Sequence, residues 1–305
     1  MSLLVVGTVA FDTIETPFGK EEMVIGGSGQ YIGYAASYFT NDINIVSIIG
    51  DDYSNDELND MKSKGMNLDG IKVVKGGKSF FWAGKYHDDM NGRDTLVTDL
   101  NVLADFDPIL PDSYKNSEYV MLGNLTPDIQ ISVLDQMNSK PKLVMLDTMN
   151  FWMDVALDKL KEVLTRIDVL TINDEEARQL SGEFALVKAA EKIQQMGPKY
   201  LIIKKGEHGA LLFHNEDVFF APALPLHQVK DPTGAGDCFA GGFIGYMAMT
   251  GDVSFENMKR GIIHGSAMAS FCVEDFSNWN IKKQHQKAID DRIRRFYNLT
   301  HFNID

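Results

Sequence analysis

Short apolar runs rich in β-branched residues alternate along this chain with stretches of helical periodicity. A buried strand takes an apolar residue at nearly every position. On that basis we predict strands at Leu3–Val9, Ile43–Ile49, Tyr119–Leu122, Leu143–Leu146, Val169–Ile172 and Tyr200–Ile203. The periodic stretches predict helices at Tyr31–Phe39, Asn55–Lys64, Asp128–Asn138, Leu157–Arg166 and Glu175–Gln195. Strands that alternate with helices indicate a three-layer α/β/α fold around a central, mostly parallel sheet.

Two segments, at about residues 12–24 and 72–99, contain β-rich pieces but no crossover helix. The second joins Lys78–Tyr86 to Thr95–Thr98 through a polar turn. We interpret the two segments as a small β lid inserted into a single domain that spans residues 1–305. A long surface hairpin without a role is the alternative. A further hairpin is predicted over Leu211–Ala221, turning near Asn215-Glu216 at a sheet edge.

The C-terminal third of the chain is mainly helical. Apolar residues follow Gly236 at helical spacing, and Phe255–Val273 is apolar nearly all round, which predicts a buried helix. Lys282–Tyr297 is basic and amphipathic, as is typical of a helix packed on a protein surface.

Composition narrows the class of protein. The 305 residues are 44% hydrophobic and 24% charged, as in ordinary globular proteins, and no apolar run predicts a membrane span. The net charge of −14 argues against nucleic acid as a partner. The N-terminus lacks the basic region of a secretion signal, and the two cysteines form no metal-binding or CxxC pattern. We therefore expect a cytoplasmic protein with reduced thiols.

The segment Asp231–Gly242 carries the clearest chemistry. Thr233 is a good N-cap, which predicts a helix that begins at Gly234 and leaves the N–H groups of Gly234, Ala235 and Gly236 unpaired. Such groups bind anions, and the helix dipole favours a negative charge there. Asp237 in the first turn is then a candidate general base. The alternative is a glycine-rich turn whose aspartate merely caps the helix.

The segment Asp231–Ile244 resembles the second signature of the ribokinase-like (PfkB) family of carbohydrate and nucleoside kinases. The resemblance covers nearly the whole chain. Its further marks are Gly7 and Asp12, Gly26-Gly27, Gly50-Asp51-Asp52, Gly65 and Ile71, Asn173-Asp174-Glu175-Glu176, and Lys205-Gly206-Glu207-His208-Gly209.

This resemblance implies an ATP-dependent kinase that acts on a small polyhydroxylated substrate. Asp237 would take the hydroxyl proton, and the amides of Gly234–Gly236 would bind the γ-phosphoryl group. Asn173 and Glu176 would organise Mg²⁺ through water molecules. A capping box made by the same two residues is the alternative, and both roles can hold together.

Other residues match the family's binding positions. Asp12, Gly26 and Gly27 match the substrate contacts, although Asp12 is also a plausible turn former. The nucleotide side consists of Thr233, Lys205, Gly206 and Gly209, with a simple hairpin turn as the alternative for the two glycines. Lys204 and Lys205 stand where many relatives have Thr and an apolar residue, and the two lysines either help to bind ATP or are solvated. Asp231 resembles a potassium site, which makes K⁺ a candidate third cofactor.

The acceptor end departs from the pattern. Ala10 and Tyr31 replace asparagines of ribose-binding members, and Asp147–Trp152 lacks the usual arginine. Tyr31, Trp82 and Trp152 are either aromatic walls of the substrate pocket or core residues. We therefore predict a sugar kinase, with a nucleoside kinase as the alternative and an inactive binding protein as a second one.

The lid offers a candidate surface for a homodimer. Phe80 and Trp82 place apolar side chains on Lys78–Tyr86. Packing of the lid on its own substrate explains the same residues.

Overall fold

The computed structural model describes residues 1–301, so the last four residues of the predicted domain lie outside the described part of the chain. The strands are β1 Leu3–Val6, β2 Ala10–Thr16, β3 Gly19–Gly26, β4 Ile43–Gly50, β5 Met66–Val74, β6 Phe80–Tyr86, β7 Arg93–Asp99, β8 Tyr119–Leu122, β9 Leu143–Asp147, β10 Val169–Asn173, β11 Tyr200–Lys204, β12 Ala210–His214 and β13 Asp217–Ala221. The helices are α1 Ser28–Ala36, α2 Asn55–Ser63, α3 Pro127–Asp135, α4 Asn150–Val155, α5 Leu157–Leu164, α6 Asp174–Ser181, α7 Leu186–Gln194, α8 Ala235–Thr250, α9 Phe255–Cys272, α10 Trp279–Lys282 and α11 Gln286–Thr300.

A nine-stranded sheet forms the centre, in the order β13-β12-β11-β10-β9-β8-β1-β4-β5. Neighbours from β11 to β5 run parallel, and the antiparallel β12–β13 hairpin closes one edge. The hairpin turns at Asn215, whose φ of 53° is of the left-handed kind that asparagine tolerates. The predicted parallel sheet and edge hairpin are confirmed.

Alternation along β1 divides the core into two layers. Leu3 and Val5 face one side, where α1, α2, α8, α9 and α11 pack. Leu4 and Val6 face the other, covered by α3 to α7. Because successive strand residues point to opposite faces, continuous apolar runs are what a sheet covered on both sides requires. The three-layer α/β/α prediction is therefore confirmed.

Two predicted helices are interrupted. The helix predicted at Glu175–Gln195 is two helices, because Gly182 ends α6 with a left-handed φ of 70°. The helix predicted at Lys282–Tyr297 is likewise divided. His285 caps the start of α11 by accepting the Ala288 N–H at 3.2 Å, and α10 ends three residues earlier, at Lys282.

The two segments interpreted as a lid form a separate four-stranded sheet in the order β3-β2-β6-β7. Its bounds differ from the prediction at three places, the first being that β2 already begins at Ala10. β3 continues to Gly26, and residues 72–74 belong to the large sheet, because β5 pairs with β4 as far as Val74. We name β2, β3, β6 and β7 the small sheet.

Helices α1 and α8 pack with almost no space between their backbones. A Cβ added to Gly241 would lie 2.4 Å from the backbone oxygen of Ile32. This close approach brings the N-termini of both helices to the same side of the large sheet. None of the helices in residues 1–301 has the length and apolar content needed to cross a bilayer.

Candidate active site

Three adjacent strands end in polar side chains at the carboxyl edge of the large sheet. Asp147 ends β9, Asn173 ends β10 and Lys204 ends β11, and Asn173 pairs with Lys204 in register. The Lys204 Nζ atom crosses the end of β10 and donates to the Asp147 Oδ1 atom at 2.7 Å. Ligands of open α/β sheets bind outside these strand ends, so the geometry marks this edge as the site.

The start of α8 differs from the prediction. The helix begins at Ala235, and its N-cap is Gly234 in the left-handed conformation, with φ 76°. Thr233 is therefore not the N-cap. Its hydroxyl instead donates to the Tyr86 hydroxyl of the small sheet at 3.0 Å. Glycine takes the cap position because the left-handed conformation is strained for other residues.

The free amides at this helix end are also shifted by one position. The Ala235 N–H donates to the Pro232 carbonyl at 3.2 Å, so it is not part of the predicted cradle. Within residues 1–301, the N–H groups of Gly234, Gly236 and Asp237 have no hydrogen-bond acceptor. Unpaired N–H groups at the start of a helix are suited to bind an anion, so these three groups are the candidate anion-binding groups.

The Asp237 carboxylate lies partly buried beside these amides. Burial raises its pKa to about 7, and the negative charge of Asp147 adds to this effect. Lys204 and Arg93 act in the opposite direction. A carboxylate whose pKa lies near neutrality is suited to accept a proton during catalysis.

Asp12 on β2 is a second buried carboxylate, with 5% of its surface exposed. Burial raises its pKa to about 8, with further contributions from the charges of Asp231 and Asp237. Gly26 is needed for this arrangement, because an added Cβ would lie 2.0 Å from the Asp12 Oδ2 atom. Gly27 has φ 96°, and its Cβ would lie 2.5 Å from the Thr8 carbonyl oxygen. Gly26 thus makes room for the Asp12 carboxylate, and Gly27 allows the chain to pass close to the backbone of Thr8.

Asp231 is fully buried and binds two loops together. It accepts the Thr233 N–H at 2.8 Å and the Ser277 N–H at 3.0 Å. Burial raises its pKa to about 6, although these hydrogen bonds lower it in part. Ser277 has φ 54°, unusual for a residue other than glycine, and the next side chain, Asn278, is buried without a hydrogen-bond partner among the described residues.

Asn173 and Glu176 form a capping box at the start of α6. The Glu176 N–H donates to Asn173 Oδ1 at 2.7 Å, and the Asn173 N–H donates to Glu176 Oε2 at 2.8 Å. Burial raises the pKa of Glu176, and the positive charge of Lys204 opposes this. The capping alternative is confirmed. The second Glu176 oxygen is not used by the box, so a role toward Mg²⁺ is compatible with it.

The three aromatic candidates lie against protein. Tyr31 is 1% exposed, and its ring would be 2.6 Å from a Cβ on Gly234, so it packs beneath the anion-binding amides. Its hydroxyl has no partner within residues 1–301. Trp82 packs inward with the small sheet, and Trp152 donates to Asn124 Oδ1 at 2.8 Å. Tyr31 is therefore a core residue, whereas Trp82 and Trp152 are only partly buried.

The loop after β11 is a tight turn. The Lys205 N–H donates to the Gly209 carbonyl at 2.7 Å, and Gly206 and Gly209 have φ 53° and 87°. Asn91, in the turn between β6 and β7, approaches this loop, because its Oδ1 atom would lie 3.7 Å from a Cβ on Gly206. The small sheet therefore reaches the loop after β11 at this edge of the large sheet.

Sequence reasoning missed the roles of Lys204, Asp147 and Arg93. Arg93 begins β7, and its charge lowers the pKa of both Asp237 and Glu176. The signal for the first two was available, because each directly follows a predicted strand of a parallel sheet, and ligands bind at these strand ends. Arg93 carried no such signal.

Because the pKa of Asp12 is about 8 in the fold and 3.8 when unperturbed, the folded state binds an extra proton between these values. Stability should therefore fall as pH rises from about 4 to 8. We expect Asp12→Asn to reduce the decline in melting temperature between pH 5.5 and 8.5 by a few degrees, roughly. The exposed Asp107→Asn serves as the control and should keep the wild-type decline. An unchanged decline in Asp12→Asn would show that Asp12 does not titrate in this range.

Comparison with known proteins places this geometry in a family. The sequence profile of the pfkB family carbohydrate kinases matches residues 2–280. A cytidine kinase from Thermococcus kodakarensis is 28% identical over 250 residues, which are 80% of this chain and 87% of that protein.

Two solved structures share the fold. An E. coli protein described as ribokinase II, in complex with ATP and Mg²⁺, superposes with a TM-score of 0.80 at 16% identity, covering 96% of this chain and 99% of that one. Arabidopsis thaliana ribokinase, complexed with ribose and ATP, gives 0.74 at 22% identity, covering 96% and 98%. The chain therefore belongs to the pfkB family of carbohydrate kinases and is a phosphotransferase with an alcohol group as acceptor.

Proposed function

We propose that this protein transfers the γ-phosphoryl group of ATP to a hydroxyl of a sugar, with Asp237 as the general base. One observation carries the proposal. Asp237 lies in the first turn of α8, at the helix end where the N–H groups of Gly234, Gly236 and Asp237 itself are unpaired among the described residues. A proton acceptor next to an anion-binding helix end is what phosphoryl transfer to a hydroxyl requires.

In this mechanism the acceptor hydroxyl donates its proton to Asp237 as its oxygen bonds to phosphorus. The pKa of about 7 lets the carboxylate be ionised before the step and accept a proton during it. Asp12 binds other hydroxyls of the acceptor. Because the pKa of Asp12 is about 8, its carboxyl group carries a proton at neutral pH and can both donate and accept hydrogen bonds.

The nucleotide would occupy the side of Lys205, Gly206 and Gly209, with Thr233 at the start of α8. Carboxylate and amide oxygens suit Mg²⁺, which would neutralise phosphate charge when bound. Within residues 1–301 no group of three or more His, Cys, Asp and Glu side chains could hold a metal ion. Glu176 and Asn173 would act on Mg²⁺ through water molecules.

A nucleoside is the second candidate acceptor, because the Thermococcus relative is named a cytidine kinase. A nucleoside also carries sugar hydroxyls, so the proposed chemistry at Asp237 would be the same. An inactive binding protein is the third candidate. This candidate does not explain why unpaired N–H groups and the Asp237 carboxylate lie in the same helical turn.

A potassium ion is proposed near Asp231. Its carboxylate is fully buried, and the adjacent loop holds Ser277 in an unusual backbone conformation. The buried Asn278 side chain there has an oxygen without a partner among the described residues. Oxygen ligands of this kind suit a hard cation, so we expect K⁺ to increase the rate of transfer.

The function is tested by ADP release across ketoses, aldoses, inositols and nucleosides, with Mg²⁺ and with K⁺ or Na⁺. We expect turnover of a ketose or an aldose, faster in K⁺ than in Na⁺. Asp237→Asn should reduce this turnover by about 10²–10⁴-fold, because it removes the base. Turnover of nucleosides alone would establish the second candidate. No release with any compound would favour the binding protein, and equal rates in K⁺ and Na⁺ would contradict the potassium site.

We also propose that the small sheet acts as a lid and joins two copies of the chain. Phe80 and Trp82 on β6, the residues predicted for this contact, are each half-buried. The neighbouring β7 is exposed along its whole length, with Leu96 57% exposed, and Met23 on β3 is 56% exposed. An exposed edge strand with apolar side chains favours association.

Sedimentation velocity tests the dimer. We expect the wild-type protein to sediment as a dimer and Leu96→Asp to sediment as a monomer, because a charge would be buried in the contact. The control is Val218→Asp on β13, an edge strand of the large sheet where the residue is 49% exposed. A monomeric wild type, or a dimer lost equally in both variants, would contradict the proposed surface.

A further inference from the structure

We propose that Lys204 is a catalytic residue whose ammonium group contacts the γ-phosphoryl group of ATP during transfer. This inference rests on the proposed function and names a residue of the same site. The chain lacks an arginine in Asp147–Trp152, and Lys204 supplies a fixed positive charge beside that segment instead.

The position of the ammonium group is the first argument. The Lys204 Nζ atom would lie 3.0 Å from a Cβ on Gly236, whose N–H is one of the unpaired amides at the start of α8. An anion bound by that amide is therefore within reach of Nζ. The absence of a side chain on Gly236 is what leaves the space between them open.

The second argument is the way in which Lys204 is held. Its side chain is only 19% exposed, and its Nζ atom donates a hydrogen bond to the Asp147 Oδ1 atom at 2.7 Å. An ammonium group has several N–H donors, so one bond to Asp147 leaves others for a ligand. Asp147 thus acts as a positioning residue that fixes the ammonium group at the strand end.

The third argument is charge. Lys204 lies within the electrostatic influence of Asp147, Glu176 and Asp237, and these carboxylates would repel the phosphates of ATP. The net charge of −14 adds no compensating attraction. Burial alone would lower the pKa of Lys204, but the carboxylates raise it, so the group stays protonated.

The chemical step is balanced without a change at Lys204. The acceptor oxygen forms a bond to the γ-phosphorus, the bond from phosphorus to the bridging oxygen of ADP breaks, and the hydroxyl proton passes to Asp237. The ammonium group keeps its protons and stabilises the charge on the transferring group. A preorganised donor of this kind contributes most in the transition state.

A purely structural role is the competing explanation, in which Lys204 only neutralises Asp147. The two explanations differ in their effect on ATP and ADP. A group that contacts only the γ-phosphoryl group affects the binding of ATP and leaves the binding of ADP nearly unchanged. A structural defect in the site weakens the binding of ATP and the binding of ADP to a similar extent.

The test measures the affinities of ATP and ADP by calorimetry without acceptor, together with kcat, for Lys204→Met and Lys204→Arg. We expect Lys204→Met to reduce kcat by about 10²–10³-fold. The same substitution should weaken the binding of ATP at least about fivefold more than it weakens the binding of ADP. Lys204→Arg should recover part of kcat, since it keeps the charge. The control is Lys199→Met, directly before the other end of β11, which should match the wild type.

The double variant Lys204→Met/Asp147→Asn guards against misfolding, because it removes both charges of the pair. We expect its melting temperature to return toward that of the wild type while kcat stays low. Recovery of kcat in the double variant would overturn the inference. Equal weakening of ATP binding and ADP binding in Lys204→Met would overturn it as well.

The same data separate this inference from the proposed function. A wild-type protein that phosphorylates an acceptor while Lys204→Met leaves kcat and the ATP affinity unchanged would contradict only the role of Lys204. A wild-type protein that phosphorylates nothing, but whose ATP affinity falls selectively in Lys204→Met, would contradict only the proposed function.

Discussion

The gathering of negative charge at one edge of the sheet is the constraint on which the rest of this structure depends. Asp12, Asp231 and Asp237 are brought together with Asp147 and Glu176, and burial raises the pKa of four of these groups. Taking a carboxylate out of water is costly unless hydrogen bonds or a cation compensate. The fold supplies backbone N–H groups to Asp231, a capping box to Glu176 and an ammonium group to Asp147. Within the described residues, Asp12 and Asp237 receive no hydrogen bond, and these are the two groups proposed to meet the acceptor.

Several local features of the backbone are explained by this arrangement. Gly26 has no side chain because the Asp12 carboxylate occupies that space, and Gly234 takes a left-handed conformation directly above the Tyr31 ring. The close packing of α1 on α8 keeps these two glycines, and the groups they border, at fixed positions. Residues held in sparsely populated conformations cluster at functional sites, and Ser277 beside Asp231 is a further case. The site is thus closely packed on the side of the large sheet, and the small sheet contributes Arg93 and Asn91.

Much of this could be predicted from the sequence, because the signals are local. The parallel strands follow from continuous apolar runs, and the unpaired N–H groups at the start of α8 follow from its small residues beside Asp237. The exceptions have physical causes. Thr233 has the chemistry of an N-cap, but Gly234 takes that position because it tolerates the left-handed conformation. Lys204 and Asp147 are far apart in the chain and meet only because β9, β10 and β11 are neighbours. Tyr31 has the chemistry of a pocket wall, yet packing on Gly234 decides its place. The acceptor depends on such tertiary contacts, which is why it is the least predictable part of the site.

The central claim is that a buried carboxylate at the start of α8 accepts the proton of the acceptor. The most direct test is the pH dependence of kcat/KM for the acceptor, measured with ATP and Mg²⁺ saturating. Since the base must be ionised to act and the pKa of Asp237 is about 7, kcat/KM should rise with pH below about 7 and level off above it. A value of kcat/KM that stays constant from pH 5 to pH 8 would contradict the account.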